Sequence, residues 1–480
     1  MRKRQATDPA VAAARSARSG LRKEPAISRR WTVLAVAFVT IVFGYAIRNT
    51  FSVFYPAIVA EFGWSRGNTA LMFSISIMAY GLVAPLAGGL IDRFGPRLAL
   101  PVGACITGGG LALCSLGTAP WHFYLLYGIV VAAGLSMIGW TPLISILSRW
   151  FVKGRGLVFG ILGAAFGVSL VSAAAAQFLI SNVGWQGAYV IIGVSAVVVI
   201  VPLCTFLLKG GRQEESSPHD AVPQASPERQ APDDLKRQTG VQTDRGDDWT
   251  LLRALRTHQF WLLFLIGFFA WGVAEQIAIA HQVYFFKDVG YEPMMAATIY
   301  SVFGISFVGG TLCGFLSDRL GRERVFIPSC LLGAGAMSLL FFIEDTSQPW
   351  MPFLFAVAFG LGLGATGPVF SATVADLFSG KHFGSIQGAI TLGFALGGAV
   401  SPWLAGFLHD RTGSYFTSFL IALFSLVASA VSMWLIAPSK TKPILSSGGQ
   451  HRTSQRQRQD GNTEGSRGDI DHHQIPQWKG

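Results

Sequence analysis

Three ionisable side chains stand away from the ends of long apolar runs in this 480-residue sequence: Arg48, Glu275 and His281. A charge at the centre of a membrane-spanning helix costs about 2.5–3.5 kcal/mol on insertion scales, so such residues serve a function or hold a partner. Arg48 offers a planar fork of donors suited to a carboxylate, Glu275 can exchange a proton, and histidine ordinarily titrates close to neutral pH. Counted from Trp31 and Gln259, where their apolar runs begin, Arg48 and Glu275 lie almost equally far along the chain. At ~1.5 Å per residue both stand roughly 24–26 Å along their runs. Equal depth and opposite charge make an Arg48–Glu275 pair the expected state of an empty site, from which an entering anion displaces Glu275. Tyr45, Ser52 and Tyr55 share the helical face of Arg48, Asn49 follows it directly, and Gln282 shares the face of Glu275. The expected anion-binding set is therefore Arg48, Tyr45, Asn49, Ser52, Glu275, Gln282 and His281, with Glu275 and His281 coupling a proton. His281 is turned about 120° from Glu275 on an ideal helix; near the outer end, it either relays that proton or faces water. The plainer alternative is that Arg48 reaches the headgroups or merely ties two bundles together through Glu275.

The elements that must position these groups are membrane helices. The chain is 51% hydrophobic and only 13% charged, with mean hydropathy +0.46, a composition that excludes an ordinary soluble protein of this length. The net charge of +11 is spread over short loops and tails, without the interleaved basic and aromatic patch of a nucleic-acid binder. Cys105, Cys114, Cys204, Cys313 and Cys330 fall inside apolar runs with no metal-ligand spacing and read as packing residues. His472–His473 is a weak metal signal, and neither a metal nor a cofactor is expected. The glycines Gly360, Gly362, Gly364 and Gly367 lack a phosphate-loop lysine and read as close helix contacts.

Apolar runs near the roughly 20 residues that span a bilayer cover 31–60, 69–91, 98–116, 121–147, 156–180 and 188–208, then 259–285, 295–316, 325–343, 350–378, 383–408 and 415–436. The first is too long for a cleaved signal, and the Arg-rich start before it reads as an orienting tail. The fold class is an all-α membrane protein of twelve helices in two parallel six-helix repeats. Residues 1–30 form a polar tail, 31–208 the first bundle, 209–258 a Pro-, Ser- and charge-rich disordered linker, 259–437 the second bundle and 438–480 a disordered tail. Placing tails and linker in the cytoplasm puts most loop arginines and lysines on that side and leaves Arg66, Lys287 and Arg411 outside.

The repeat is legible in the loops. GGLIDRFGPR (Gly88 to Arg97) returns as GFLSDRLGRE (Gly314 to Glu323), with Asp92 and Asp318 at corresponding places in the two copies. Pro142 and Pro368 are separated by the same interval as the two aspartates, and Gly63-Trp64 and Gly290-Tyr291 by nearly the same one. The charged turns resemble the loops between helices 2 and 3 and between helices 8 and 9 of major facilitator superfamily transporters. That resemblance implies alternating access about a midplane site lined by helices 1, 4, 7 and 10. It also makes Asp92, Arg93, Arg97, Arg149, Arg155, Asp318, Arg319 and Arg322 the expected inner gate, each aspartate pairing with a base or helix end of the opposite half. Asp376 and Lys381 read as a further gate or surface pair. FGYAIRNTFSVFYPAIVAEFGWSRG and RWFVKGRGLVFGILGAAFGVSL are similar to the monocarboxylate transporter branch and its bacterial relatives, with Gly156, Gly160, Gly163, Ala164 and Gly167 permitting close helix contact. The acidic and arginine pair that animal monocarboxylate carriers place in helix 8 is absent from YSVFGISFVGGTLCGFLSD, which argues against a lactate-type substrate. GILGAAFGVSL has no proline, which ranks drug/proton antiport lower.

The expected function is secondary active transport of a small organic anion, a carboxylate, with proton coupling and no enzymatic chemistry. Alternatives are a neutral or zwitterionic metabolite such as a vitamin or nucleobase-like compound, then a drug, then a transport-inactive sensor. The expected partners are the substrate, protons and the lipid bilayer. A monomer with cytoplasmic termini in the plasma membrane is expected, or in the inner membrane of a Gram-negative cell.

Overall fold

The computed structural model describes residues 26–151, 155–208, 249–378 and 383–436, and every regular element among them is helical. Eleven stretches are long and apolar enough to cross a bilayer. One of these, Gly160–Leu207, has 48 residues, about 70 Å of helix at ~1.5 Å per residue and twice what a bilayer needs. It breaks at Gly184, where φ is 73°, so among the described residues the helices of membrane-spanning length number twelve. In order they are α1 (Ala26–Asn49, resumed as Phe51–Phe62), α2 (Arg66–Phe94), α3 (Pro96–Cys114), α4 (Pro120–Leu125 through Trp140–Trp150), α5 and α6 (the two arms of Arg155–Leu207), and α7 (His258–Ile266, a π-helical Gly267–Glu275, then Gln276–Val289). There follow α8 (Pro293–Cys313, continued by Gly314–Leu316 and Ser317–Leu320), α9 (Arg322–Leu339), α10 (Trp350–Leu377), α11 (Phe383–Thr412) and α12 (Phe416–Ile436).

Helix ends carry the internal repeat in their backbone. The positive-φ glycines among the described residues are Gly63, Gly95, Gly184, Gly290, Gly321 and Gly413. They pair as Gly63 with Gly290, Gly95 with Gly321 and Gly184 with Gly413, at close to the interval that separates Asp92 from Asp318, and mark the ends of α1 and α7, α2 and α8, and α5 and α11. A left-handed φ stops a helix at low cost only where no Cβ is present, so the two six-helix halves stop their helices at matching places.

Two of the expected boundaries move. Helix α1 begins at Ala26, inside the tail expected over residues 1–30. The chain is folded from Trp249 onward, well before the linker boundary expected at 258. A short helix, Leu251–Leu255, buries Ala254, the Trp249 ring meets Phe378 at 5.1 Å, and the Trp261 indole donates to the Leu255 carbonyl at 2.9 Å. The polar composition of the segment hid it, because its burial comes from residues distant in the chain. The linker over 209–248 and the tails over 1–25 and 437–480 lie outside the described residues.

Small residues bring the helices together. A Cβ on Gly360, Gly362 or Gly364 of α10 would fall 2.5, 2.6 or 2.2 Å from the Phe303, Ser329 and Phe307 carbonyl oxygens of α8 and α9, whereas Gly367 has nothing within 4 Å. The packing expectation therefore holds for three of the four glycines. Between the halves, α5 lies on α8 at Gly167 and Gly304, where each added Cβ would come within 3.0 Å of the other's carbonyl oxygen. Likewise α2 lies on α11: Gly67 against Gly406, the Trp403 amide donating to Ser74 at 3.0 Å, Gly398 against Ile77, and Gly81 against Ala395. Beyond Gly81 the packing loosens at the glycines: Gly88 and Gly89 of α2 and Gly384 and Gly388 of α11 have no atom within 4 Å of an added Cβ. The halves thus meet at one end, here the far face, and part toward the terminal face, where each half starts and finishes. Large apolar side chains such as Leu86, Phe206, Leu331 and Trp434 remain exposed around the bundle, as lipid contact requires.

Candidate functional site

The two pseudo-equivalent helices α1 and α7 deform at the same level. Helix α1 is interrupted at Thr50, whose hydroxyl turns back to the Ala46 carbonyl at 2.8 Å. The π-helical part of α7 ends at Glu275, and Thr50 and Gln276 are separated by the same interval as Asp92 and Asp318. Such a widened turn changes which residues face a partner helix. Here it presents Gln276: the Arg48 Nη2 donates to Gln276 Oε1 at 3.0 Å, while Gln276 Nε2 donates to the Trp271 carbonyl at 3.2 Å and so fixes the amide's orientation.

Arg48 is 6% exposed, and its guanidinium carbon lies 5.9, 5.8, 5.9 and 5.4 Å from the ring centres of Tyr45, Phe73, Tyr80 and Phe394. The expected Arg48–Glu275 ion pair is not formed. Among the described residues Arg48 has Gln276 as its one side-chain hydrogen-bond partner, and Glu275, 5% exposed, has neither a hydrogen bond nor an ion pair. A guanidinium and a carboxyl group therefore stand at one buried level without touching each other, and burying either as an ion without a partner is costly.

Other expected residues divide between this site and the scaffold. The Tyr45 and Tyr80 hydroxyls meet at 3.2 Å, and Tyr80 accepts from the Trp140 amide at 3.3 Å. Asn49 turns its Nδ2 to Ser169 at 2.8 Å and accepts on its carbonyl from Tyr300 at 3.0 Å, so it braces α1 against α5 and α8. Ser52 Oγ, Asn49 Oδ1 and both amide atoms of Gln282 are buried without a protein partner. His281 does not face water: it is 0% exposed, Nε2 donates to the Pro402 carbonyl at 2.8 Å, and Nδ1 is 3.2 Å from the Tyr415 hydroxyl. A carbonyl only accepts, so the proton sits on Nε2 and Nδ1 accepts from Tyr415. The ring edge of Tyr55 packs on His281 at 5.4 Å. The histidine is thereby built into the closure above Arg48.

That closure joins the halves at the far face. The Arg66 guanidinium meets Asp288 through two hydrogen bonds, donates to the Tyr415 hydroxyl at 3.1 Å and lies 3.8 Å from the Tyr284 ring centre. Asp410, at the end of α11, accepts from the Arg66 amide at 2.9 Å and the Gly67 amide at 2.7 Å, so one half caps the N-terminus of α2 in the other. Tyr55 donates to the Arg66 carbonyl at 2.8 Å. Against this stand the orphaned Ser52 and Gln282 atoms, each costing about 1–3 kcal/mol while closed. Replacing Asp288 and Asp410 with Ala should open the far face. In a cysteine-free background carrying Ser52→Cys, far-side maleimide labelling should accelerate roughly tenfold to a hundredfold, the worth of one charge-assisted hydrogen bond. An unchanged rate would show that these carboxylates do not hold the halves.

At the terminal face Asp318 pairs with Arg322 of its own half, and Arg322 bonds Asp376 at 3.0 Å and Ser317 at 2.8 Å. The expected contact of Asp318 with the opposite half is therefore replaced by a tie among α8, α9 and α10; the four-residue spacing of Asp318 and Arg322 makes the local pair the nearer choice. Asp376 is the partner of Arg322, while Arg93, Arg97 and Arg319 are exposed. The side chains of Asp92, Arg149 and Arg155 lie outside the described residues, as does Lys381.

The sequence did not single out Gln276, Phe73, Tyr80 or Phe394, nor Arg66, Asp288 and Asp410 as a latch. Its one signal for the latch was the scarcity of charge in the far-side loops.

The chain matches the family model described as Major Facilitator Superfamily over residues 36–314 and 277–459. It is 27% identical over 409 residues to monocarboxylate transporter 13 of Rattus norvegicus, covering 84% of this chain and 88% of that protein. Monocarboxylate transporter 13 of Bos taurus is 28% identical over 412 residues, covering 84% and 89%, and human monocarboxylate transporter 2 is 25% identical over 413 residues, covering 85% and 84%. The crystal structure of a D-xylose-proton symporter superposes with a TM-score of 0.65 at 16% identity, over 86% of this chain and 99% of that one. At that identity the likeness concerns the fold.

Proposed function

The chain belongs to the major facilitator superfamily, and from that premise we propose that it is a proton-coupled secondary transporter of a small organic carboxylate. The observation that carries the reading is the buried guanidinium of Arg48, which holds one neutral partner and leaves most of its donors for an incoming anion. A carboxylate seated there takes two parallel hydrogen bonds and displaces Gln276, removing a bond that spans the two halves. Charge balance supplies the coupling. With Arg48 and Glu275 both ionised the empty site is neutral; with an anion on Arg48 it is neutral only if Glu275 carries a proton. Substrate and proton then cross together as the halves rock between the far-face closure and its counterpart at the terminal face.

We place the terminal face in the cytoplasm, since Arg93, Arg97, Arg319, Arg322 and Arg324 lie there, in the plasma membrane or a Gram-negative inner membrane. One chain supplies both halves of the site, so a monomer suffices. The unpaired Glu275 favours one second reading, a zwitterion whose ammonium meets Glu275 while its carboxylate meets Arg48. Uptake of labelled carboxylates and amino acids by proteoliposomes, with and without an imposed pH gradient, separates the two. Carboxylate accumulation that requires outside acid is expected; zwitterion uptake indifferent to the gradient would replace the first reading with the second.

A further inference from the structure

The rings around Arg48 define more than a charge. Tyr45 comes from α1, Phe73 and Tyr80 from α2 and Phe394 from α11, so both halves contribute, and all four lie within 5.9 Å of the guanidinium carbon. Phe73 is fully buried and stacked on Phe51 at 4.6 Å. Tyr45, Tyr80 and Phe394 are only half-buried and border the side on which α2 and α11 part. The wall continues with Phe166, edge-on to Tyr45 at 5.4 Å, and with Trp140, whose amide holds the Tyr80 hydroxyl. A carboxylate on Arg48 must therefore lay its carbon body among flat ring faces and edges. The polar atoms beside that body are the paired Tyr45 and Tyr80 hydroxyls. A two- or three-carbon acid touches little of this wall. A planar ring one or two bonds from the carboxylate would meet it in offset and edge-on contacts, with the Tyr hydroxyls in reach of a ring substituent.

We infer that the substrate class is the aryl carboxylates: acids whose carboxylate engages Arg48 and whose aromatic ring packs between Tyr45, Tyr80 and Phe394. This inference rests on the anion-binding reading of Arg48 and narrows it. It assigns Phe394 the role of a specificity-determining residue contributed by the half opposite Arg48. Because Phe394 belongs to the helix that closes on α2, a ring seated against it also draws the two halves together.

The test is calorimetric titration of the purified full chain with phenylacetate, 4-hydroxyphenylacetate, hexanoate and acetate at one pH. Phenylacetate should bind roughly tenfold more tightly than hexanoate, from ring–ring contacts that a flexible chain cannot make. Phe394→Leu should bring that ratio to within about twofold, because leucine keeps an apolar contact and loses the ring–ring contacts. Equal affinity for phenylacetate and hexanoate in the unaltered chain would overturn the aryl inference and leave the anion reading standing. Failure of every acid to bind, with the chain folded by its melting transition, would overturn both. Should Phe394→Leu not fold, the unaltered chain's own phenylacetate-to-hexanoate ratio decides the matter.

Discussion

Glu275→Gln gives a carrier that exchanges its anion but no longer concentrates it in response to external acid. On the proposed mechanism, one proton per anion in the unaltered protein would let accumulation follow the pH gradient, about tenfold per pH unit. Glutamine has nearly the shape of a protonated glutamic acid and cannot release the proton, so the variant is fixed in the form that accepts substrate. Binding at neutral pH should persist and lose its pH dependence; counterflow should continue; the accumulation ratio should fall to about one. Glu275 has no hydrogen-bond or ion-pair partner among the described residues, so its substitution by the near-isosteric Gln breaks no existing hydrogen bond, and a loss of coupling is separable from a loss of folding. A Glu275→Gln carrier that still concentrated its substrate under an acid gradient would reduce Glu275 to a counter-charge for Arg48.

Arg48→Lys is expected to weaken anion binding by roughly tenfold to a hundredfold, the worth of one charge-assisted hydrogen bond lost when a bidentate fork becomes a point charge. The four surrounding rings sharpen the prediction, since a delocalised guanidinium stacks on aromatic faces and a compact ammonium demands water. Gln276 offers a control. Gln276→Leu removes the neutral partner that an anion must displace, so affinity should rise or hold in that variant while falling in Arg48→Lys. Measured by competition against a bound carboxylate, equal affinities for Arg48→Lys and the unaltered chain would remove Arg48 from the site.

Sequence alone made the architecture legible because a bilayer imposes one rule on every segment: apolar for about 20 residues, then a charged or glycine-bearing turn. The duplicated turns around Asp92 and Asp318 announced the repeat, and the paired positive-φ glycines repeat it in the backbone. The site was half legible. Arg48 stood out as a charge where charge is expensive, yet its partner was misplaced to the neighbouring position. Equal depth and opposite charge pointed to Glu275, but depth along a helix does not fix which way a side chain faces, and an ideal helix turns about 100° with each residue. The π-helical Gly267–Glu275 turns less per residue, so the phase slips and Gln276 arrives instead. The burial of His281 was hidden for a related reason, since its partners Pro402 and Tyr415 lie far along the chain, on α11 and just before α12, and no periodicity within α7 reveals them. The far-face latch was hidden because Arg66 looked like a topology signal, and loop charges only disclose a pairing once the loops are brought together.

The cap that Asp410 places on Arg66 and Gly67 makes the start of α2 a property of two bodies rather than one. When the halves separate at that face, those two amides lose their acceptor, and the Ser65 side chain serves only the Asn68 amide at 3.2 Å. The first turn of α2 then begins to fray, and refolding it becomes part of every closing stroke. On the proposed rocking of the halves, the transport cycle would contain a small helix–coil transition at its rim. The time the carrier spends open to that side is recorded in how quickly two backbone hydrogens trade places with solvent.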